Sequence, residues 1–373
     1  MIFVTGMLRS GTTLAAKVVA HVTGVPIAAQ PFPLLFTEVK NDFLLSSGQE
    51  PAKYPLSDCV FHNAYDIAAF EQYLEGYQLK QQALERLLRQ LENYSGQQTR
   101  IKIDLDGTRS IQMRGFSSCL SSLLREARNK SDCGFSGCKE TTAEEFVPYL
   151  ARQGWFVVLV IRDIRDVLTS ANYGLGSNYT GQMKPALFNV RQWRKSVIFA
   201  LRESRRPNVF LLRYEDLVGD PVGSQSRLYG KYLKWAEAND TESLSSQRIM
   251  KISRPENSSF GKADSTVGRY KDFLDPGTLT FIESLCWHEM KAMNYNPDDS
   301  LENQIPNISD YNDQCHRTRE ELSAYLWTEE THWQETARKR QLIVGEQTDD
   351  NLNAFIFPDD VDVLNSRIGN STD

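Results

Sequence analysis

The turn after the first apolar segment constrains the fold of this chain more than any other feature. Residues 2–4 read Ile-Phe-Val, residues 5–13 read Thr-Gly-Met-Leu-Arg-Ser-Gly-Thr-Thr, and Leu14, Val18 and Val22 follow at helical spacing. This pattern predicts a strand, a glycine-rich turn and a helix. Such a turn directs backbone N–H groups into a concavity at the N-terminus of a helix, where a phosphate or sulfate group is favoured.

The same turn nearly matches the phosphate-binding loop of nucleotide-binding enzymes. Gly6 and Gly11 have the separation of that loop, but residues 11–13 read Gly-Thr-Thr where the loop requires Gly-Lys followed by Ser or Thr. Kinases and NTPases need this lysine on the β- and γ-phosphates and a carboxylate that holds Mg²⁺. A P-loop kinase is therefore a secondary hypothesis. A glycine turn required only for close packing of helix on strand is the structural alternative.

Strands alternate with helical segments along the chain. Apolar, β-branched segments recur at residues 2–5, 134–138, 155–161 and 209–212. Residues 155–161 are apolar throughout, as expected of a strand buried on both faces of a parallel sheet. We therefore predict an α/β fold of three layers, α/β/α, with a central parallel sheet like that of P-loop NTPases. Ligands of such sheets bind at the carboxyl ends of the strands.

Helical periodicity marks several other segments. Residues 65–98 are read as a helical insertion on the substrate side, within about residues 40–100, or as an ordinary packing helix. Residues 185–205, 222–238 and about 320–340 predict further helices, followed by a loose acidic C-terminus. Thr141 and Thr142, followed by Glu144 and Glu145, resemble the N-cap region of a helix.

Composition excludes several classes of protein. The chain has 373 residues and a formal net charge of −6, which argues against nucleic acid and anionic membranes as partners. It has neither an apolar run of about 18–20 residues nor a signal-peptide pattern, so we expect a cytoplasmic protein without a membrane span. Its 6 cysteines are scattered. Cys133 and Cys138 have no second Cys/His pair nearby, so neither a disulfide framework nor a metal is expected.

Three later segments add polar and cationic side chains. Residues 161–170 read Ile-Arg-Asp-Ile-Arg-Asp-Val-Leu-Thr-Ser, which places Arg162 at the carboxyl end of a predicted strand and Ser170 eight residues later. A guanidinium fork and a hydroxyl suit one phosphate group. Arg165 and Asp166 are also explained by a solvated helix face. Residues 212–217 read Leu-Arg-Tyr-Glu-Asp-Leu, and residues 257–270 are rich in hydroxyls, glycine and cations.

Taken together, these motifs resemble the sulfotransferases that use 3′-phosphoadenylyl sulfate (PAPS), most closely the tyrosylprotein and carbohydrate types. Residues 6–14 match the 5′-phosphosulfate loop G-x-x-R-S-G-T-T-L, and residues 162–170 match the 3′-phosphate motif R-D-x-R-x-x-x-x-S. Residues 213–217 and 258–269 resemble later cofactor motifs in the same order. The resemblance implies one sulfotransferase domain over residues 1–297 and a C-terminal extension of unassigned function over residues 298–373.

The resemblance also implies roles for individual residues. The 5′-phosphosulfate group is expected on the turn, at Arg9, Ser10, Gly11, Thr12 and Thr13. The 3′-phosphate is expected on Arg162 and Ser170. Further contacts to the nucleotide are expected from Tyr214, Ser258, Ser259, Lys262 and Arg269. Arg9 and Lys139 are the expected catalytic cations, since Lys139 matches the family's strand-end lysine that contacts the leaving phosphate or the sulfuryl group.

The position of the general base departs from the family pattern. Tyrosylprotein-type members carry a glutamate where this chain has Gln30, and an amide is not a useful proton acceptor. Glu38 is the first substitute, His62 the second and Glu140 the third. Each is also explained as an ordinary surface residue.

The resemblance implies transfer of the sulfuryl group of PAPS to a hydroxyl, or secondarily an amine, without a metal. The acceptor is a small molecule, a glycan or a peptide, and the second product is adenosine 3′,5′-bisphosphate (PAP). Gln30 motivates an alternative hypothesis, a catalytically silent protein that binds PAP or PAPS.

Overall fold

The computed structural model describes most of the chain. The residues it describes are 1–48, 66–93, 101, 103, 111–128, 134–173, 184–239, 256–257, 261–262, 266–311, 320–345, 355–357 and 359–369. The chain forms two compact units. Unit 1 consists of Met1–Gly48, Asp66–Ile161 and Glu203–Asn257, and unit 2 consists of Gln49–Tyr65, Arg162–Arg202 and Ser258–Asp373.

A five-stranded parallel sheet forms the centre of unit 1. Its strands are β1 (Ile2–Gly6), β2 (Ile27–Ala29), β3 (Gly137–Lys139), β4 (Phe156–Ile161) and β5 (Val209–Arg213). The order across the sheet is β2-β3-β1-β4-β5. Four of these strands lie where the apolar segments predict them. The fifth, β2, has only 3 residues and was not predicted, because so short a segment has no readable periodicity.

Fourteen helices are described in the two units. In chain order they are α1 (Thr12–Thr23), α2 (Pro33–Ser46), α3 (Ile67–Gly76), α4 (Gln81–Asn93), α5 (Phe116–Glu126), α6 (Val147–Arg152), α7 (Ile164–Tyr173), α8 (Ala186–Glu203), α9 (Tyr214–Gly219), α10 (Pro221–Ala238), α11 (Tyr270–Phe273), α12 (Pro276–Ala292), α13 (Glu329–Val344) and α14 (Asp360–Gly369). Short 3₁₀ helices lie at Glu144–Phe146, Asp299–Leu301, Ile308–Asp310 and Glu320–Tyr325. Glu256–Asn257 and Gly261–Lys262 are two-residue strands.

Several predicted helix boundaries need correction. The expected cap at Thr141 and Thr142 is wrong, because the helical segment begins with the 3₁₀ turn at Glu144 after Ala143 and has no side-chain cap. The helix predicted near residues 320–340 is a 3₁₀ helix followed by α13, which begins after a Thr328 capping box. The expected loose C-terminus contains α14.

Helices cover both faces of the sheet in unit 1. Side chains alternate along β1, so Ile2 and Val4 pack with α1, α9 and α10, in a core that includes Leu14 and Leu217. On the opposite face, Phe3 stacks on Phe36 of α2 with ring centroids 5.8 Å apart. Phe36 also contacts rings from α5 and from the 3₁₀ turn before α6. The predicted three-layer α/β fold is confirmed.

The segment predicted to be one helical stretch at residues 65–98 is two helices. Gln78 bridges to Arg114 in an antiparallel pair between α3 and α4, which interrupts the helical backbone. Phe70 of α3 packs edge-on against Phe43 and Phe146, with centroids 5.1 Å apart in each pair. The alternative of an ordinary packing helix thus describes α3, while the substrate-side role of residues 40–100 stays a prediction.

Buried ion pairs connect the helices of unit 2. Arg191 and Arg194 of α8 contact the Glu335 carboxylate of α13, at 3.0 Å and 2.6 Å. Arg338 of α13 pairs with Glu289 of α12. All of these side chains are buried. The C-terminal segment therefore contributes an interior helix to unit 2.

Within the parts of the chain that the structure describes, no helix is both long enough and apolar enough to cross a membrane.

Candidate active site

Two glycines give the turn of residues 6–13 its shape. Gly6 ends β1 with φ 154°, and a Cβ there would lie 2.3 Å from the carbonyl oxygen of Val160 on the neighbouring strand. Gly11 has φ 91°, and Arg9, at φ 69°, also has left-handed backbone geometry. Ser10 is buried and donates through its hydroxyl to the carbonyl of Met7 at 2.7 Å. The turn is thus closed by a hydrogen bond between two of its own residues, with glycine where a side chain would collide.

The turn ends at the N-terminus of α1. Gly11 is the N-cap of this helix and has no side chain to accept a bond from the amides of the first turn, which contains no acidic residue. Thr12 is buried and Thr13 half-buried. A helix N-terminus of this kind carries partial positive charge and suits an anion. The geometry is therefore compatible with the predicted phosphosulfate site.

Tyr214 supports the turn from the start of α9. A Cβ on Gly11 would lie 2.3 Å from Cδ2 of Tyr214, so the ring covers the glycine backbone directly. Tyr214 is 2% exposed. Its side chain therefore has a packing role here, and its predicted contact with a nucleotide stays a prediction.

Lys139 ends β3 beside this turn. β3 pairs with β1 in parallel, with Lys139 opposite Val4. Three residues further along, the N–H of Thr142 donates to the carbonyl of Gly6 at 3.0 Å. The strand-end lysine and the glycine turn thus lie at the same edge of the sheet, as the sequence predicts for ligand-binding groups.

Gln30 is bonded to Lys139. Lys139 is fully buried, and its Nζ donates to Oε1 of Gln30 at 3.1 Å. Nε2 of Gln30 donates to the Thr141 hydroxyl at 3.3 Å. The sequence indicates Gln30 only as the residue in place of the expected base and gives no sign of this contact. The short strand β2, which pairs Ala29 with Lys139, is the element that would have revealed it.

Glu140 is buried next to Lys139. Its Oε1 accepts the backbone N–H of Phe32 at 3.2 Å. Burial raises the pKa of Glu140 and lowers the pKa of Lys139, and each charge opposes the shift of the other. Glu140 is 2% exposed, and one of its carboxylate oxygens is bonded to the Phe32 amide.

The two other candidates for the general base are Glu38 and His62. Glu38 is on α2, and its carboxylate accepts two bonds from the Arg86 guanidinium of α4, at 3.2 Å and 3.4 Å. Its side chain is 30% exposed, so it is accessible to solvent. His62 lies outside the described residues.

The second arginine-rich motif organises a loop in unit 2. Arg162 follows β4 in the chain, is buried, and donates to the carbonyl of Thr266. Asp166 of α7 accepts the N–H groups of Gly268 and Tyr270 at 2.7 Å and 3.1 Å. The motif therefore holds the backbone of residues 266–270 through two of its side chains.

Two other residues of the motif have different surroundings. Arg165 forms buried ion pairs with Asp163 and Glu283, both at 2.6 Å, so the alternative of a solvated helix face is wrong for it. Asp166 is buried as well. Ser170 lies on α7 and is 7% exposed.

The late loop is described in part. Arg269 precedes α11, and its guanidinium lies over the Phe273 ring, 4.7 Å from the centroid. Lys262 belongs to the short strand Gly261–Lys262. Ser258 and Ser259 lie outside the described residues.

No group of three or more His, Cys, Asp or Glu residues is placed to hold a metal ion among the residues described. Cys119, Cys138 and Cys286 are buried free thiols.

Comparison with known proteins gives the class. The profile of the sulfotransferase family matches residues 2–233. The chain belongs to the sulfotransferase family, which confirms the predicted resemblance at the level of the family and identifies sulfuryl transfer as the class of reaction. The predicted similarity to the tyrosylprotein and carbohydrate types stays a prediction. No curated protein sequence matches the chain. A solved structure, retinol dehydratase in complex with androsterone and the inactive cofactor PAP, is 16% identical, with 80% of this chain and 82% of that chain covered and a TM-score of 0.34.

Proposed function

We propose that this protein transfers the sulfuryl group of PAPS to a hydroxyl of a small-molecule, glycan or peptide acceptor and releases PAP. The observation that carries the proposal is the glycine turn with the buried Lys139 at one edge of the sheet in unit 1. In a member of the sulfotransferase family, a phosphosulfate is the anion that such an edge would bind.

The turn and Lys139 supply the positive potential for the transfer. The bond from sulfur to the bridging phosphate oxygen breaks, a bond from sulfur to the acceptor oxygen forms, and the acceptor loses its proton. Negative charge grows on the bridging oxygen. The first-turn amides of α1, the Arg9 guanidinium and the Lys139 ammonium stabilise that charge in this proposal, since fixed donors need little reorganisation during the reaction.

The rest of the nucleotide is assigned from the family motifs. Arg162 and Ser170 are proposed to hold the 3′-phosphate, and the loop that Arg162 and Asp166 fix carries Arg269. Further proposed contacts are Tyr214, Ser258, Ser259 and Lys262. A planar guanidinium favours a phosphate through two parallel bonds.

Glu38 is the proposed proton acceptor. It is more accessible than Glu140, and its carboxylate is held by Arg86. Glu38→Gln is expected to lower turnover by about 10²–10⁴-fold while leaving PAP binding intact, the usual range for loss of a general base. Equal turnover of this variant and the wild type would remove Glu38 from the mechanism.

Thermal unfolding with nucleotides tests cofactor binding. PAP or PAPS at 100 times its Kd is expected to add about 2.7 kcal/mol to the free energy of unfolding. Arg9→Ala, Lys139→Met and Arg162→Ala should each reduce this gain. Lys234→Ala, which removes an exposed cation on α10, is the matched control and should keep it. No shift with either nucleotide would refute the proposal.

A catalytically silent PAP-binding protein is the second candidate, because Gln30 is bonded to Lys139 and cannot act as a base. Incubation with sulfur-labelled PAPS and a panel of phenols, sterols, sugars and tyrosine peptides separates the two functions. Labelled product on any acceptor excludes the silent alternative. Nucleotide binding without product on the whole panel favours it.

A further inference from the structure

The contact between Gln30 and Lys139 is made through backbone and side chain together. The N–H of Gln30 donates to the carbonyl of Lys139 at 2.7 Å, and Oε1 of Gln30 accepts from Nζ of Lys139 at 3.1 Å. Nε2 of Gln30 donates to the hydroxyl of Thr141 at 3.3 Å, and the N–H of Phe32 donates to the carboxylate of Glu140. Residues 30–32 and 139–141 are thus joined by four bonds.

The backbone of Gln30 is in an unusual conformation. Its φ is 47°, one of four positive values at non-glycine residues in the described chain. Left-handed backbone at a residue with a side chain costs of order 1 kcal/mol and persists where the surrounding structure enforces it. Here it follows β2 directly and turns the side chain towards Lys139.

The charge of the partner matters as much as its position. The carboxylate of Glu140 acts on the charge of Lys139, while Gln30 and Thr141 are neutral. A glutamate at position 30 would place a second carboxylate against the same ammonium. An amide holds the ammonium by a hydrogen bond and adds no opposing charge.

We infer that Gln30 is a positioning residue, which aims the Lys139 ammonium at the carboxyl edge of the sheet and leaves its positive charge available for the anionic leaving group. The inference rests on the proposed function for the identity of that anion. It assigns Gln30 a role of its own in place of the absent base.

Two substitutions of Gln30 with side chains of nearly equal volume distinguish the effect of its hydrogen bonds from the effect of an added charge. Gln30→Met removes the two side-chain hydrogen bonds of Gln30 and adds no charge, whereas Gln30→Glu keeps an acceptor for Lys139 and adds a charge. Gln112→Met, at an exposed glutamine, is the control. We expect Gln30→Met to weaken PAP binding about tenfold, the loss that corresponds to one hydrogen bond to a charged group. Gln30→Glu keeps that bond and should weaken PAP binding through its added negative charge instead. The control should stay within twofold.

A double-mutant cycle with Lys139→Met tests whether Gln30 acts through the lysine. In the Lys139→Met background, Gln30→Met should weaken PAP binding less than twofold further. If Gln30→Met weakens PAP binding by the same factor with and without Lys139, the inference is overturned, because Gln30 then acts on binding without the lysine.

Titration of isotope-labelled lysine by NMR gives a second readout, with the Lys139 signal assigned from its absence in Lys139→Met. Gln30→Glu should raise the pKa of Lys139, since an added carboxylate favours the charged form, and Gln30→Met should not. An unchanged Lys139 titration in Gln30→Glu would contradict the inference. This readout needs no ligand, so it stays decisive even where PAP fails to bind the wild type and the proposed function fails.

Discussion

The ring of Tyr214 covers the backbone of Gly11 so closely that a methyl group on the glycine would lie 2.3 Å from Cδ2 of the tyrosine. Gly11 is at once the N-cap of α1 and part of the proposed phosphosulfate turn. Tyr214 begins α9, after the fifth strand. The packing of Tyr214 against Gly11 therefore fixes the residue from which α1 starts.

Gly11→Ala is expected to damage both stability and nucleotide binding. The substitution combines a left-handed φ of 91° with the collision against Tyr214, and overpacking of this kind costs about 1–3 kcal/mol. Thermal unfolding with and without PAP measures the two effects.

Gly230→Ala is the matched control for that experiment. Gly230 lies inside α10, and no heavy atom lies within 4 Å of its added Cβ. Glycine inside a helix costs roughly 0.5–1 kcal/mol relative to alanine, so this variant should be as stable as the wild type or more stable. Gly11→Ala with wild-type stability and PAP binding would show that the close packing is unimportant.

Asp166→Ala is expected to release the loop of residues 266–270. The buried carboxylate accepts two backbone N–H groups, from Gly268 and Tyr270, and leaving such donors unpaired costs about 1–3 kcal/mol. Hydrogen exchange at these two amides should become faster. Asp272→Ala, at an exposed residue of α11, should leave their exchange unchanged. Unchanged exchange in Asp166→Ala would show that the loop is held by other contacts.

The strand pattern of unit 1 was predictable because apolar side chains in a parallel sheet follow one another without interruption. Residues 156–161 are the clearest case, since every one is buried. The turn before α1 was predictable from Gly6 and Gly11, whose spacing reflects a steric requirement that the structure displays. The strands depend on burial alone, and the turn depends on residues close together in the sequence.

The partners of Lys139 were not predictable for the opposite reason. Gln30 is 109 positions away in the chain, and the contact depends on a three-residue strand with no periodic signal. The same holds for Arg165, for which the sequence pattern also permits a solvated helix face. Its pairing with Glu283, 118 positions away, is set by the packing of helices in unit 2.

Glu335→Gln is expected to cost about 3–5 kcal/mol, because it leaves the buried charges of Arg191 and Arg194 without their carboxylate. Glu329→Gln, at an exposed position of the same helix, should be nearly neutral. Urea unfolding at pH 7 measures both. A loss below 1 kcal/mol would show that α13 contributes little to unit 2.

The Glu335 contribution should depend on pH. Burial alone would raise the pKa of Glu335, but Arg194 and Arg191 outweigh it and hold this pKa well below its usual range. A depressed pKa in the folded state gives stability that is complete above the unfolded pKa of about 4.3 and is lost as the pH falls below it. The stability difference between wild type and Glu335→Gln should therefore shrink below about pH 4. A difference that stays constant down to pH 2 would contradict this assignment.

Lys40 and Glu145 connect α2 to the segment that borders the turn. Nζ of Lys40 lies 2.9 Å from the Glu145 carboxylate and 2.9 Å from the carbonyl of Thr142, whose own N–H bonds to Gly6. Both side chains are almost fully buried, at 3% and 0% exposure. Removing one partner of such a pair leaves a buried charge, so Lys40→Met should cost about 3–5 kcal/mol.

Replacing both partners of this pair should cost less than replacing the lysine alone. Lys40→Met with Glu145→Gln removes both charges, and the remaining loss comes mainly from the bond to Thr142. Stability and PAP binding are measured on the single and double variants. Because Thr142 supports Gly6, we expect both variants to weaken PAP binding, even where the double variant recovers stability. Recovery of stability together with full PAP affinity would show that the turn keeps its shape without Lys40.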